Sequence, residues 1–130
     1  MDSKRPLYQP PVPSTDFATE ATLCGGIICF GYKRDVAAYK SGIRFHRVLA
    51  IRTRAERCCT SWHIEGAYDT LVEVEESPWV EELRVDTAER WRNKWEMHHY
   101  MIYFDSAGCF ELIASSWDAL QEEVGSWSKT

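Results

Sequence analysis

Four histidines, five cysteines and a surplus of carboxylates give this 130-residue chain the groups for nucleophilic, acid–base and metal chemistry, so spacing decides which can act together. A Cys–His pair needs both side chains within hydrogen-bond reach. His98 and His99 lie in residues 97–104, which read as a strand; Asp105-Ser106-Ala107-Gly108 is turn chemistry, and residues 109–114 read as the returning strand. A four-residue turn pairs Phe104 with Cys109, Met101 with Leu112 and His99 with Ala114. Both histidines then stand roughly 17 Å along the ladder from Cys109, at about 3.4 Å per residue. Cys109 therefore reads as a buried, inert thiol, with His63 and His46 left as its only other histidine partners.

Metal binding meets a similar obstacle. Adjacent His98 and His99 point to opposite faces of a strand and cannot share one ion, and Cys58-Cys59 fails in the same way. His63 and Glu65 share a face at i, i+2 and could be joined by Asp69 or His99, but the balance of the sequence argues for no metal and no cofactor. Glu65, Asp69, Glu73 and Glu75 follow one another as a solvated face, whereas acid–base chemistry wants two carboxyls in unlike environments across a cleft. Glu111, between Phe110 and Leu112, is expected to point outward on the face of Ile113. Gly25-Gly26 is followed neither by the Gly-Lys-Ser/Thr of a phosphate loop nor by a dinucleotide fingerprint.

The elements that would position these groups can be read from periodicity. Residues 1–16 hold four of the five prolines and read as a flexible arm ahead of a single domain over residues 17–130. Residues 22–33 read as a strand interrupted by glycine, and residues 43–55 alternate as a strand with a basic face, broken only by Arg47. Residues 68–76 alternate as a strand with an acidic face, which the preceding Trp62 and Ile64 extend across a bend at Gly66. Placed beside the basic strand, it would set Glu73 and Glu75 opposite Arg52 and Arg54. Ser77-Pro78 starts a helix that carries Trp79, Leu83, Trp91 and Trp95 on one stripe to about residue 95, either as one kinked helix or as two. Ser115-Ser116 starts a short C-terminal helix that stops at Gly125. The order implies an α+β fold: a mainly antiparallel sheet of about five strands, a Trp-rich helix on one face and the short C-terminal helix.

Composition narrows the function classes. The uncharged run at residues 21–32 is too short for a bilayer, which needs roughly 20 residues, so no membrane span is expected. Five cysteines without a C-x-x-C pair or an export signal point to the cytoplasm. The net charge of −5 divides into a basic first half and an acidic second half. Arg44, Arg47, Arg52, Arg54 and Arg57 form a basic stripe, yet the acidic total and the lack of a recognition motif argue against nucleic acid. The expectation is a small binding or interaction protein, with the size and acidity of bacterial adaptor or immunity proteins. It would take a protein partner or a second copy through an acidic, indole-bearing surface at Trp79, Glu82, Trp91 and Trp95. The alternative is a small enzyme or ligand-binding protein with an aromatic pocket between sheet and helix, using His63, Glu65, Asp69, His99 and Tyr103. No motif carries a family resemblance.

Overall fold

Two-residue periodicity dominates the computed structural model, which describes residues 3–92 and 94–127. Its strands are β1 (Ser3–Tyr8), β2 (Thr22–Cys24), β3 (Ile27–Arg34), β4 (Ala37–His46), β5 (Ala50–Arg54), β6 (Leu71–Glu75), β7 (His98–Phe104), β8 (Gly108–Ala114), β9 (Ser116–Ala119) and β10 (Glu123–Val124). The helices are α1 (Ser61–Ile64), α2 (Pro78–Asp86) and α3 (Glu89–Arg92). The fold is α+β, mostly antiparallel sheet with little helix.

Instead of one sheet there are two. The first runs β1-β6-β7-β8-β5; the second runs β2-β3-β4, with β9 and β10 following one another along the far edge of β4. Their inner faces share a core of Ile28, Phe30 and Tyr32 from β3, Ile43 and Phe45 from β4, and Tyr100, Ile102, Phe104, Phe110 and Leu112 from β7 and β8. Aromatic rings close it across the sheets, Phe45 on Tyr100 at 5.6 Å and Phe30 on Phe104 at 6.0 Å. Fully burying such side chains is worth about 1.5–3 kcal/mol each. On the outer face of the first sheet, Trp62 and Ile64 of α1 pack on Val72, Val74, Met101 and Tyr103, while Trp79, Val80 and Leu83 of α2 pack near Met97 and Ile113.

Several expectations are corrected by this topology. The proline-bearing arm is the edge strand β1 from Ser3 to Tyr8, paired antiparallel with β6; an edge tolerates Pro6 because proline lacks only a donor the ladder can spare there. Residues 1, 2 and 128–130 lie outside the described residues. The strand over 43–55 divides at Arg47, which has a left-handed φ of 51°, so β4 stays in the second sheet and β5 crosses to the first. In consequence β5 and β6 are separated by β7 and β8, and Arg52 and Arg54 do not face Glu73 and Glu75. Trp62 and Ile64 lie on a helical turn, α1, rather than extending a strand. Of the two readings left open for the Trp-rich segment, one kinked helix or two, the structure has two, ending at Arg92 short of Trp95, with the Thr87 amide closing α2 by donating to the Leu83 and Arg84 carbonyls. The expected C-terminal helix is β9 and β10: β4 presents an open edge, Trp117 falls opposite Phe45, and Leu120 donates to the Gly42 carbonyl.

The charge division is partly cancelled by pairs across the fold, though through other pairs than Arg52 with Glu73. Arg44 and His46 meet Asp118, Arg34 meets Glu122, and Arg5 meets Glu73 at 2.5 Å. Removing residues 1–8 is therefore expected to cost on the order of 2–4 kcal/mol, because it exposes the edge of β6 and uncovers apolar contacts of Leu7 and Tyr8. Urea unfolding of the truncated chain checks this; an unchanged midpoint would show that the segment is an unstructured arm.

Candidate functional site

The β7–β8 hairpin sets the site through its register. Its connection is one residue shorter than the sequence suggests: Phe104 pairs with Gly108, Met101 with Glu111 and His99 with Ile113. Gly108, at φ 92°, has no room for a side chain, since a Cβ would meet the Arg54 carbonyl at 2.1 Å. A shift of one position moves every side chain to the other face. Here it brings Glu111 onto the face of His99, beneath α1 and α2, with Arg52 reaching across from β5.

Glu111 shares a face with Ile113 as expected, but that face is covered, and the residue is only 3% exposed. Its carboxylate is fully engaged. Arg52 donates from Nε to Oε2 and from Nη2 to Oε1, both at 3.0 Å, and His99 Nε2 lies 2.8 Å from Oε1. Burial pushes the Glu111 carboxyl up, yet the hydrogen bonds and charges of His99 and Arg52 outweigh it and hold the group down at about 2. An ionised carboxylate only accepts, so in the neutral imidazole of His99 the proton sits on Nε2. Nδ1 is then left as an acceptor, 2.7 Å from the Ser77 hydroxyl. Ser77 also caps α2, accepting from the Val80 amide at 3.3 Å.

Indoles wall this chain of polar groups. The Arg52 guanidinium lies 4.1 Å from the Trp79 ring centre, and Trp79 meets His99 edge to face at 5.0 Å. Trp62 stands on the α1 side, with Lys4 over its ring. Between the two helices is a cleft of about 180 Å³ lined by Arg52, Trp62, Ser77, Trp79, Glu82 and His99. A larger depression of about 540 Å³ lies on the second sheet near Gly31, Tyr39 and Trp127, but Glu20 is the only ionisable carboxylate on its wall and the Tyr32 hydroxyl beside it is taken by Glu122. Convergent polar groups favour the smaller cleft.

Of the five residues expected to line a pocket, only His99 reaches the cleft. His63 is buried as part of a capping box, its Nδ1 accepting from the Thr60 amide at 2.9 Å, and burial with nearby Arg54 holds its pKa below the usual value. Glu65 is exposed and offers its carbonyl to Lys4. Asp69 accepts from the Ser14 amide at 3.1 Å through Oδ2, while its buried Oδ1 has no hydrogen-bond partner among the described residues. Tyr103 packs with Met101 and Cys109, and burial pushes its hydroxyl up to about 12. The Cys109 thiol is likewise pushed up to about 12 by burial, and it stands four residues along β8 from the partner of His99. Among the described residues no three His, Cys, Asp or Glu side chains gather where they could hold a metal ion.

The indoles also divide. Trp79 belongs to the cleft with Glu82 at its rim, whereas Trp91 and Trp95 stack on each other at 5.5 Å and are flanked by Arg90, Lys94 and Arg47. Ser77, Arg52, Trp62 and Glu111 are the members of the cleft and its network that sequence reasoning missed as site residues. Ser77 was legible only as a helix cap, and Arg52 only as one of several alternating arginines. No family model, curated protein or solved structure matches the chain.

The buried carboxylate makes stability depend on acid. With its folded value near 2 and an ordinary value near 4.5, Glu111 contributes fully above about pH 4.5 and loses that contribution as pH falls toward 2. The loss is on the order of 3 kcal/mol. Urea midpoints at pH 5 and pH 2.5 are expected to fall further for the native chain than for Glu111→Gln; equal falls would show that the carboxylate is not held ionised by its neighbours.

Proposed function

We propose that the chain is a small binding protein that recognises a protein partner through the outward face of α2 and the cleft beneath it. The observation that carries this reading is the fixed indole of Trp79, held between Arg52 and His99 with the cleft at its side. Arginine and tryptophan locked in this way lose little freedom on binding and are the residue types that dominate interface energies. Around them α2 and the start of α3 present Glu81, Glu82, Asp86 and Glu89 to solvent, with Val85 69% exposed among them. Such a surface suits a basic segment that inserts one apolar or aromatic side chain into the cleft. Five free thiols support a reducing compartment, the cytoplasm.

A peptide library in which one aromatic or aliphatic residue is flanked by Lys and Arg tests the reading, with affinity followed by indole fluorescence. Selected peptides are expected to lose about 30-fold or more in affinity with Trp79→Ala, in line with a hot-spot residue. Glu82→Lys is expected to weaken binding and flatten its salt dependence. Selection of no peptide, or binding indifferent to both substitutions, would contradict it. Self-association abolished by Trp79→Ala would show that the occupant is a second copy.

A second reading, a ligand-processing pocket, is favoured by one specific observation: the unbroken chain from Ser77 through His99 to Glu111.

A further inference from the structure

The geometry points to an acyl-transfer site in this cleft, with Ser77 as nucleophile, His99 as base and Glu111 as the residue that positions His99, acting on esters of short carboxylic acids. This does not depend on the partner reading; it rests on the three side chains, the cleft and the turn that holds them.

The parts meet the geometric requirements of nucleophilic catalysis. Ser77 lies 2.7 Å from His99 Nδ1, and His99 Nε2 lies 2.8 Å from Glu111 Oε1, so hydroxyl, imidazole and carboxylate form one line. Ser77 stands where β6 gives way to α2 through a single tight turn, with Glu76 at a left-handed φ of 55°. A strand, a strained turn and a helix that begins on the serine hold a hydroxyl at a fixed point above the sheet. The nine-residue helix α2 begins at this serine, and its Val80 amide donates to the Ser77 hydroxyl at 3.3 Å, fixing the oxygen in place. Ser77, 5% exposed, and His99, 2% exposed, both stand in the wall of the cleft.

The reaction balances without any further reagent. The Ser77 Oγ attacks the ester carbonyl carbon and forms a C–O bond as its proton passes to His99 Nδ1. The tetrahedral oxyanion collapses; the bond to the alcohol oxygen breaks and the alcohol leaves with the proton from His99. Water, deprotonated by His99, then attacks the acyl-serine, releasing the acid and restoring Ser77. The Glu111 carboxylate accepts from Nε2 throughout and stabilises the imidazolium of each step. The volume of about 180 Å³ sets the substrate class. It has room for about six water molecules, hence for a short acyl group such as acetyl between the two indoles and not for a long chain.

The full chain treated with a fluorophosphonate probe, followed by intact mass and peptide mapping, tests the assignment. The expected result is one label per chain, on Ser77. Ser77→Gly, which removes the hydroxyl at an N-cap position where glycine is tolerated, is expected to abolish labelling with the circular dichroism spectrum retained. The native protein is expected to hydrolyse p-nitrophenyl acetate at least tenfold faster than p-nitrophenyl octanoate, and His99→Gln to lower kcat by about 100-fold or more. Glu111→Gln is expected to lower kcat with KM little changed, a split that a merely structural role would not produce. An unlabelled native chain, a label on another residue, or acetate hydrolysis undiminished in Ser77→Gly would overturn the proposal.

Discussion

A negative charge buried on a β-sheet must be neutralised where it stands, and in this protein that requirement ties together elements that are distant in sequence. Glu111 takes Arg52 from β5 and His99 from β7, and His99 in turn takes Ser77 at the cap of α2. Removing a carboxylate from water costs several kcal/mol, which is recovered only when its lone pairs are well satisfied. The network meets that condition, and in doing so fixes the edge strand β5, the start of α2 and the ring of Trp79 relative to one another. Breaking one partner would leave an uncompensated buried charge, a larger loss than removing a surface pair. The outer layer is therefore organised by polar contacts, while the layer between the sheets is organised by aromatic packing.

Local pattern made much of the fold readable. The β7–β8 hairpin, the serine–proline start of α2 and the antiparallel character all follow from short-range chemistry. Three features depended on long-range context. The break at Arg47 separates one alternating run into strands of different sheets, and alternation is blind to which sheet a strand enters. The segment after Ser115 has no stronger strand signal than helix signal; the open edge of β4 decides it. The segment from Ser3 to Tyr8 looks unstructured because proline breaks ladders, yet at an edge that cost vanishes.

The site was less legible for one sharp reason. A three-residue connection in place of four shifts the hairpin by one position, and His99 and Glu111 change from opposite faces to a shared one. Glu111 was placed on the correct face by alternation, but whether a face is covered is a property of α1 and α2, not of the strand. Trp79 and Glu82 stand out in the sequence as candidates for a partner surface, and the structure puts them at the cleft. His63 and Tyr103 were conspicuous for other reasons: one caps a helical turn and the other fills the packing under α1. The proposed binding and the proposed acyl transfer draw on the same architecture, a fixed aromatic wall beside hydrogen-bonded polar groups.

The account rests on Glu111 being ionised and shared between Arg52 and His99. The most direct measurement is the carbon-13 titration of the Glu111 side-chain carboxyl by NMR, from pH 7 down to the acid limit of the folded protein. A midpoint near 2 is predicted, with the His99 Nε2 proton slow to exchange above it. A midpoint at or above the ordinary carboxylate value of 4.5 would show that burial wins over its partners and would contradict the account.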